Sequence, residues 1–487
     1  MAIKIPLFPP LRLHSPFWQN WLIGCILGLT AGLYGAINLL GAGGGRPNSA
    51  QTVQTVNATL CAVFALSSAF AGSVLNTIGP CITALLGIVG YAVYVGSLWY
   101  FDRTGNEWFP ILAAVLIGLS AGLIVVTMSS ISMSYSEEQE RGSFITITFN
   151  LQGVGMAIGG IIPLIINRKS QEAAGVPIAV YISIIALMGF ACVLALGLRP
   201  AAKVIREDGT QVATIHSRGY VEELKANMLI FKDWKLLLMI PAFLPSECYL
   251  VYNGSVNAYH NDLRARSLLS FCSVMLQIPA GYGLQKILDH KTWTRRKRAF
   301  IGLAAVGIPM TAAWIWEMAR VRNYDRSELP TKPLDWSDPN FGAIFVLFCL
   351  NWVSCALFQC LILYFLSSMT NSPRTASNYA GAFRTFMAGG EAICFGVDSI
   401  GVPFIKEAGV LFAFYFSGLL IFTYFAAYHI TPTQYLVGEE GVVIPVHVVE
   451  ELKHDGLDLQ DVPGAGAAPA AETITVGEGK RTSIQVA

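Results

Sequence analysis

What this sequence lacks most is charge. Asp, Glu, Lys and Arg make up 13% of its 487 residues, against roughly 25% in a soluble domain. That shortfall excludes a water-soluble fold of this length, and a disordered or fibrous chain as well. The charge that is present balances: 32 Lys and Arg face 31 Asp and Glu. No basic patch remains for a polyanion, so nucleic acid is excluded as a partner. The ten cysteines form no CxxC pair, which leaves a disulfide scaffold or a zinc site without support. There is no His pair at metal spacing, no Gly-Lys phosphate loop and no nucleophile motif. The sequence therefore predicts no cofactor, no metal, no nucleotide-driven pump and no enzyme.

What the sequence has in excess is apolar residues, at 54%, with a mean hydropathy of +0.54. A helix that crosses a bilayer needs about 20 of them in a row. Such runs occupy 17–40, 53–76, 80–100, 108–131, 144–166 and 177–198, then 236–257, 265–287, 299–318, 340–366, 380–400 and 408–430. The first run is too long for a cleavable signal and is read as a span. The pattern predicts an all-α polytopic membrane protein with twelve transmembrane helices, the lipid bilayer being its first partner.

The spans divide six and six. Residues 1–16 read as a cytosolic N-terminal segment, 17–198 and 236–430 as two six-helix bundles, and 199–235 as a cytosolic linker with a short helix near 219–231. Residues 431–487 read as an acidic, disordered cytosolic tail, rich in Gly, Ala and Pro near 463–471. With both termini in the cytosol, inward-facing segments hold sixteen Lys and Arg and outward-facing ones eleven, in the sense that orientation rules favour. Which membrane is spanned, plasma or vacuolar and endomembrane, is left open. Two bundles joined by a linker place a transport site between the halves, near the midplane. Gly24, Gly28 and Gly32 in span one and Gly155, Gly159 and Gly160 in span five allow close helix packing.

Several segments together resemble one family. Gly72-Ser73-Val74-Leu75-Asn76-Thr77-Ile78-Gly79-Pro80, after span two, is similar to the loop between spans two and three of the major facilitator superfamily. Asn76 replaces that motif's usual acid and Pro80 its usual base. The Unc-93-like branch, in its fungal form, is indicated by the Gly41 to Gly45 run, Gly90-Tyr91 with Ser97-Leu98-Trp99, and Ser134-Tyr135 with Glu138 and Arg141-Gly142. Asp208-Gly209-Thr210 and Leu288-Asp289 with Arg295-Arg296 belong to the same set. The resemblance implies a facilitator-type fold of two six-helix bundles. It also implies an alternative role, because some animal relatives act as regulators or escorts of other membrane proteins. Fungal relatives carry an Asp one turn before a Gln in span ten; here Cys355 precedes Gln359.

A charge at the bilayer centre costs about 2.5–3.5 kcal/mol on insertion scales, so the few charges inside spans are the candidate functional residues. Span eleven carries Arg384, Glu391 and Asp398, seven residues apart and thus on one face at intervals of about 10 Å. Arg384 and Asp398 lie toward its two ends, within snorkelling reach of an interface. Glu391 does not. Glu247 in span seven follows Pro241 and Pro245, which should bend the helix and free carbonyls beside the acid. Asn38, Asn150, Asn351 and Gln359 are uncharged polar groups on spans expected to face the cavity. These eight residues are read as the pathway of a proton and a small organic molecule or ion in a secondary transporter. The alternative is a non-transporting membrane protein whose partner is another membrane protein.

Overall fold

The computed structural model describes residues 12–35, 49–167, 178–214, 219–326, 333–439 and 441–454. Asn38 and the Gly41 to Gly45 run lie outside the described residues. Among those described, nine helices are long and apolar enough to cross a membrane. One of them, Thr55–Thr104, contains both span two and span three. Span one is described only to residue 35, and span eleven falls outside the nine because Arg384, Glu391 and Asp398 interrupt it. The order of helices is that of twelve spans in two six-helix bundles.

Local chemistry sets the ends of these helices. Ser15 caps the helix Pro16–Leu27, and Pro16 occupies its first turn, where a missing N–H is harmless. Asp262 and Thr294 cap spans eight and nine through the backbone amides of Ala265 and Lys297. The segment read as a loop after span two is helical except at one residue. Gly79 takes φ 80°, a left-handed value that glycine adopts without strain, and Pro80 opens the next helix. Span seven is interrupted, as Trp234–Phe243 and Cys248–His260, around Pro245. Span one passes through a π-helical turn at Gly28–Gly32 before returning to α.

Within the first bundle, span one lies on span five. A Cβ on Gly155 would stand 2.0 Å from the Gly28 carbonyl oxygen, and one on Gly28 would stand 2.6 Å from that of Leu151. Here the glycines are required by close approach of two backbones. Between bundles, span two packs against span eleven and span five against span eight. A Cβ on Gly381 would meet the Ser68 carbonyl at 2.8 Å, and one on Gly281 the Asn150 side chain at 2.4 Å.

The linker contains the helix Tyr220–Ile230, lying against spans two and eleven. Residues 431–454, which the sequence reads as disordered tail, form a packed segment instead. It has a buried apolar cluster of Tyr435, Val442 and Ile444 and a terminal helix, Val446–His454. The glycine- and alanine-rich composition that suggested disorder belongs to 463–471, outside the described residues. Enough Val, Ile and Tyr precede it to bury a small core.

Overpacking of this kind typically costs about 1–3 kcal/mol. Gly155→Val should therefore lower the thermal midpoint of the purified protein by several degrees, whereas Gly160→Ala, with nothing within 4 Å of its added Cβ, should leave it unchanged. Differential scanning fluorimetry in detergent checks the pair; equal midpoints would refute the close-contact account.

Candidate functional site

The charges inside the membrane converge from several spans. Arg384 is 1% exposed, at the middle of Pro373–Ser399. It does not reach an interface, as its sequence position allowed. Its Nη1 stands 3.8 Å from the Glu247 carboxylate. Its Nε donates to Ser129 Oγ at 3.2 Å and its Nη1 to Gln359 Oε1 at 3.4 Å. The guanidinium also lies over the Phe383 ring at 4.8 Å and near Phe149 at 5.9 Å, cation–π contacts that a desolvated arginine favours.

Glu247 is placed by the break in span seven. It is the residue before the second half, Cys248–His260, and its side chain is 17% exposed. Gln359 donates to the Ser246 carbonyl freed by the break, at 3.1 Å, which ties span ten to the interruption. Tyr415 of span twelve donates to the Pro245 carbonyl at 2.6 Å. The Ser246 carbonyl is thus left outside the helical ladder by the break and satisfied by span ten, while the Pro245 carbonyl, which also accepts from the Cys248 amide at 2.9 Å, gains a second donor from span twelve.

Glu391 lies two turns from Arg384 and is half-buried. The Cys61 thiol of span two lies near its carboxylate across the bundle interface. Tyr91 of span three is close enough to feel Glu247, Glu391 and Arg384 together. The centre therefore holds one guanidinium and two carboxyl groups, lined by spans two, three, four and five on one side and seven, ten and eleven on the other.

The remaining candidates are elsewhere. Asp398 pairs with Arg326, which also holds Glu407 at 2.8 Å and the Val402 carbonyl at 2.7 Å, so it belongs to an ionic knot at the end of the second bundle. Asn150 donates to the Ile278 carbonyl at 3.3 Å and serves the seam between spans five and eight. Asn351 accepts from Asn253 at 2.8 Å and joins spans ten and seven. Of the eight residues, the structure brings four together: Arg384, Glu247, Glu391 and Gln359.

A second constellation closes the linker end. Asp289 accepts from the Gly142 amide at 2.8 Å and the Ser143 amide at 2.6 Å, so it caps span five from the opposite bundle. Arg295 pairs with Glu138 at 3.3 Å. Asn371 donates to Glu138 at 2.9 Å and accepts from Arg141. On the other seam, Ser377 donates to Asn76 at 2.8 Å. Asn76 lacks the acid's charge, and the carboxylate near it comes from the linker helix: Glu223, 1% exposed, pairs with Arg374 at 2.7 Å. Among the described residues, the hydrogen bonds that cross between bundles concentrate in this half of the molecule.

The chain resembles a known fold along most of its length. The model of the major facilitator superfamily matches residues 20–395. The chain belongs to the major facilitator superfamily. Within it, the Unc-93-like branch supplies the relatives. UNC93-like protein 1 of Arabidopsis thaliana is 28% identical over 400 residues, covering 81% of this chain and 86% of that protein. An uncharacterized membrane protein of Schizosaccharomyces pombe is 32% identical over 416 residues, covering 85% of each. Among solved facilitators, the fucose transporter FucP in the outward conformation aligns with a TM-score of 0.59 at 12% identity, covering 85% of this chain and 99% of that one. The proton:xylose symporter XylE aligns with a TM-score of 0.56 at 12% identity, covering 85% and 95%. The chain is thus a multi-pass membrane protein with a facilitator fold.

Sequence reasoning missed Cys61, Ser129 and Phe149, which carry no charge and no motif. It quoted Glu138, Arg141, Asp289 and Arg295 as marks of the family without giving them a function. Their signal was in the sequence: charged residues clustered at span ends on one face.

Burial pushes the Asp289 carboxyl up to about 6, and the hydrogen bonds from Ser143 and Gly142 with the Arg298 charge only partly offset it. If the linker end opens, water restores the ordinary value near 4. The closed form then holds this proton more tightly, so its contribution to closure is complete below about 4 and is lost as pH rises through about 6. Glu138 is opposite. Burial raises it, but Arg295 and Arg141 outweigh burial and leave it below the usual range, so its contribution is constant from pH 5 to 7. Lowering the pH from 7 to 5 should raise the protection factors of amides 142–146, that is, exchange corrected for the intrinsic pH dependence of its chemical rate, in the wild type and leave them unchanged in Asp289→Asn. An undiminished pH response in the variant would contradict this.

Proposed function

We propose that the protein is a secondary transporter that moves a small organic molecule or ion by alternating access, coupled to protons through Glu247 and Glu391. The observation that carries this reading is the charge set at the centre: Arg384 paired with Glu247 at 3.8 Å and Glu391 two turns further along span eleven, all three on the second bundle where it faces the first. With all three ionised, the set has a surplus negative charge in a poorly polarisable surrounding. Binding one proton removes the surplus, and losing it restores the demand for a cation or a rearranged Arg384. A site whose charge alternates in this way can make bundle closure depend on protonation.

The three groups have separate roles in this reading. Glu391, near Cys61 of the first bundle, reports the protonation state to the partner bundle. Glu247, at a broken helix, can shift toward or away from Arg384 when the break flexes. Arg384 binds the substrate's acceptor groups or, between substrates, Glu247. The interrupted span seven is the hinge, since its helical ladder breaks at 244–247 and side chains of spans ten and twelve reach its carbonyls there. The linker and both termini are on the cytosolic side in this proposal, so the structure corresponds to the state closed to the cytosol.

Asn76 and Pro80, in place of the usual acid and base of the loop motif, support a second reading, a membrane regulator or escort that does not transport. The two separate on one residue, because an escort has no need of a titrating group at Glu391.

Comparative metabolite profiling of cells with and without the protein identifies the compound whose retention changes. Proteoliposomes then test it. Wild-type protein should accumulate it under an imposed pH gradient, and Glu391→Gln and Glu247→Gln should lose that accumulation by about tenfold or more while keeping wild-type folding and yield. Full response to the gradient in both variants would end the coupling proposal. Absence of gradient-driven flux for any retained compound in the wild type would favour the escort.

A further inference from the structure

The segment after span twelve crosses the closed end of the molecule and touches both halves of it. On the second bundle, one oxygen of Glu439 accepts three hydrogen bonds at 2.8 Å, from the Thr370 hydroxyl and the Asn371 and Ser372 amides. Those residues are the turn between spans ten and eleven. Arg295, at the start of span nine, donates to the Thr431 carbonyl at 3.3 Å. On the first bundle, the Gln434 amide donates to Glu138 at 2.8 Å. The chain leaving span six then pairs with the segment: the Thr214 amide donates to the Gly441 carbonyl at 2.8 Å, and Arg206 to that of Val443 at 2.9 Å. Asp208 accepts from the Val446 amide at 2.9 Å, and His447 is 3.3 Å from Glu137.

We propose that residues 431–454 are a clasp that holds the linker-side entrance shut and has to lift before the two bundles can part there. The proposal rests on the alternating-access reading above, for which it supplies the regulation. Its partners are the groups that such opening must separate. Glu138 receives Gln434 from the clasp, Asn371 from the turn between spans ten and eleven, and Arg295 from span nine. Lifting the clasp removes one of these donors and, through Glu439, unfastens the turn that carries Asn371. The clasp's apolar anchor, Tyr435 with Val442 and Ile444, is a cluster separate from the core of the bundles. It can detach without exposing that core. Gly441 allows the approach: at φ 78° it has a left-handed backbone, and a Cβ there would stand 2.5 Å from the Thr214 carbonyl.

Two full-length variants test this by different routes. Glu439→Ala removes the acceptor of three hydrogen bonds on the second bundle, and Gly441→Val pushes the segment off the first-bundle side without altering charge. Hydrogen exchange is followed by mass spectrometry on the protein in lipid nanodiscs, at amides 142–146 and 285–289 and, as reference, 117–126 inside span four. Both variants should speed exchange at the two linker-side stretches by about tenfold or more, from the loss of charge-assisted hydrogen bonds or of close packing, with span four unchanged. Unchanged exchange at the linker side in both variants would overturn the clasp. A uniform rise that includes span four would overturn it too, by making 431–454 a structural part of the fold. This readout needs no substrate. A clasp that behaves as expected in a protein without flux would defeat the transport proposal alone, and intact flux with no change at the linker side would defeat the clasp alone.

Discussion

A guanidinium held in the interior of a membrane-spanning bundle has to be neutralised where it stands. Arg384 is the charge on which the centre of this protein depends. It is 1% exposed, and its partners come from protein: a carboxylate on span seven, a hydroxyl on span four, an amide on span ten and two phenylalanine rings. Each has a structural consequence. Glu247 is within reach because span seven is interrupted there, and Gln359 and Tyr415 donate to carbonyls at the interruption. Ser129 and Phe149 bring the first bundle against span eleven. One buried cation therefore links the break in span seven to the surface of the first bundle.

The ends of the molecule differ in kind. At the linker end, polar contacts run from one bundle to the other and include the linker helix and the segment after span twelve. At the opposite end, the prominent ionic knot of Arg326 with Asp398 and Glu407 lies wholly within the second bundle. A knot of that kind keeps one bundle rigid and does not tie it to its partner. Rigid halves whose polar contacts, among the described residues, concentrate on one side suit rocking about a central site. The buried pairs at the linker end also suit a gate better than a scaffold, since ion pairs add little net stability but are specific in geometry.

Much of this was legible in the sequence because a bilayer makes charge conspicuous. With only 13% charge, the long apolar runs could only be spans, and an acid beside two prolines in such a run had to be exceptional. Glu247, Glu391 and Arg384 were found for that reason. Asp398 was equally conspicuous, but its partner Arg326 is 72 residues earlier in the chain, and no periodicity within span eleven points to it. Asn150 and Asn351 were legible as buried amides; whether a buried amide faces a cavity or a neighbouring helix depends on a packing partner that one sequence does not name. Cys61 was counted with nine other thiols. Residues 431–454 were hidden by the Gly- and Ala-rich composition of the residues after them. Glu439, one of two adjacent acids, gave no sign that a turn between two distant spans would donate to it three times.

Proton coupling at the centre requires that Glu391 exchange a proton in the assembled protein. Infrared difference spectroscopy across a pH titration, on the protein in nanodiscs, reads this directly from the carbonyl stretch of protonated carboxylic acids. A band that appears and disappears with pH is expected in the wild type and should be missing from Glu391→Gln, with the rest of the difference spectrum preserved. A spectrum with no titrating carboxyl band, or one whose bands are identical in the wild type and Glu391→Gln, would contradict proton exchange at this residue.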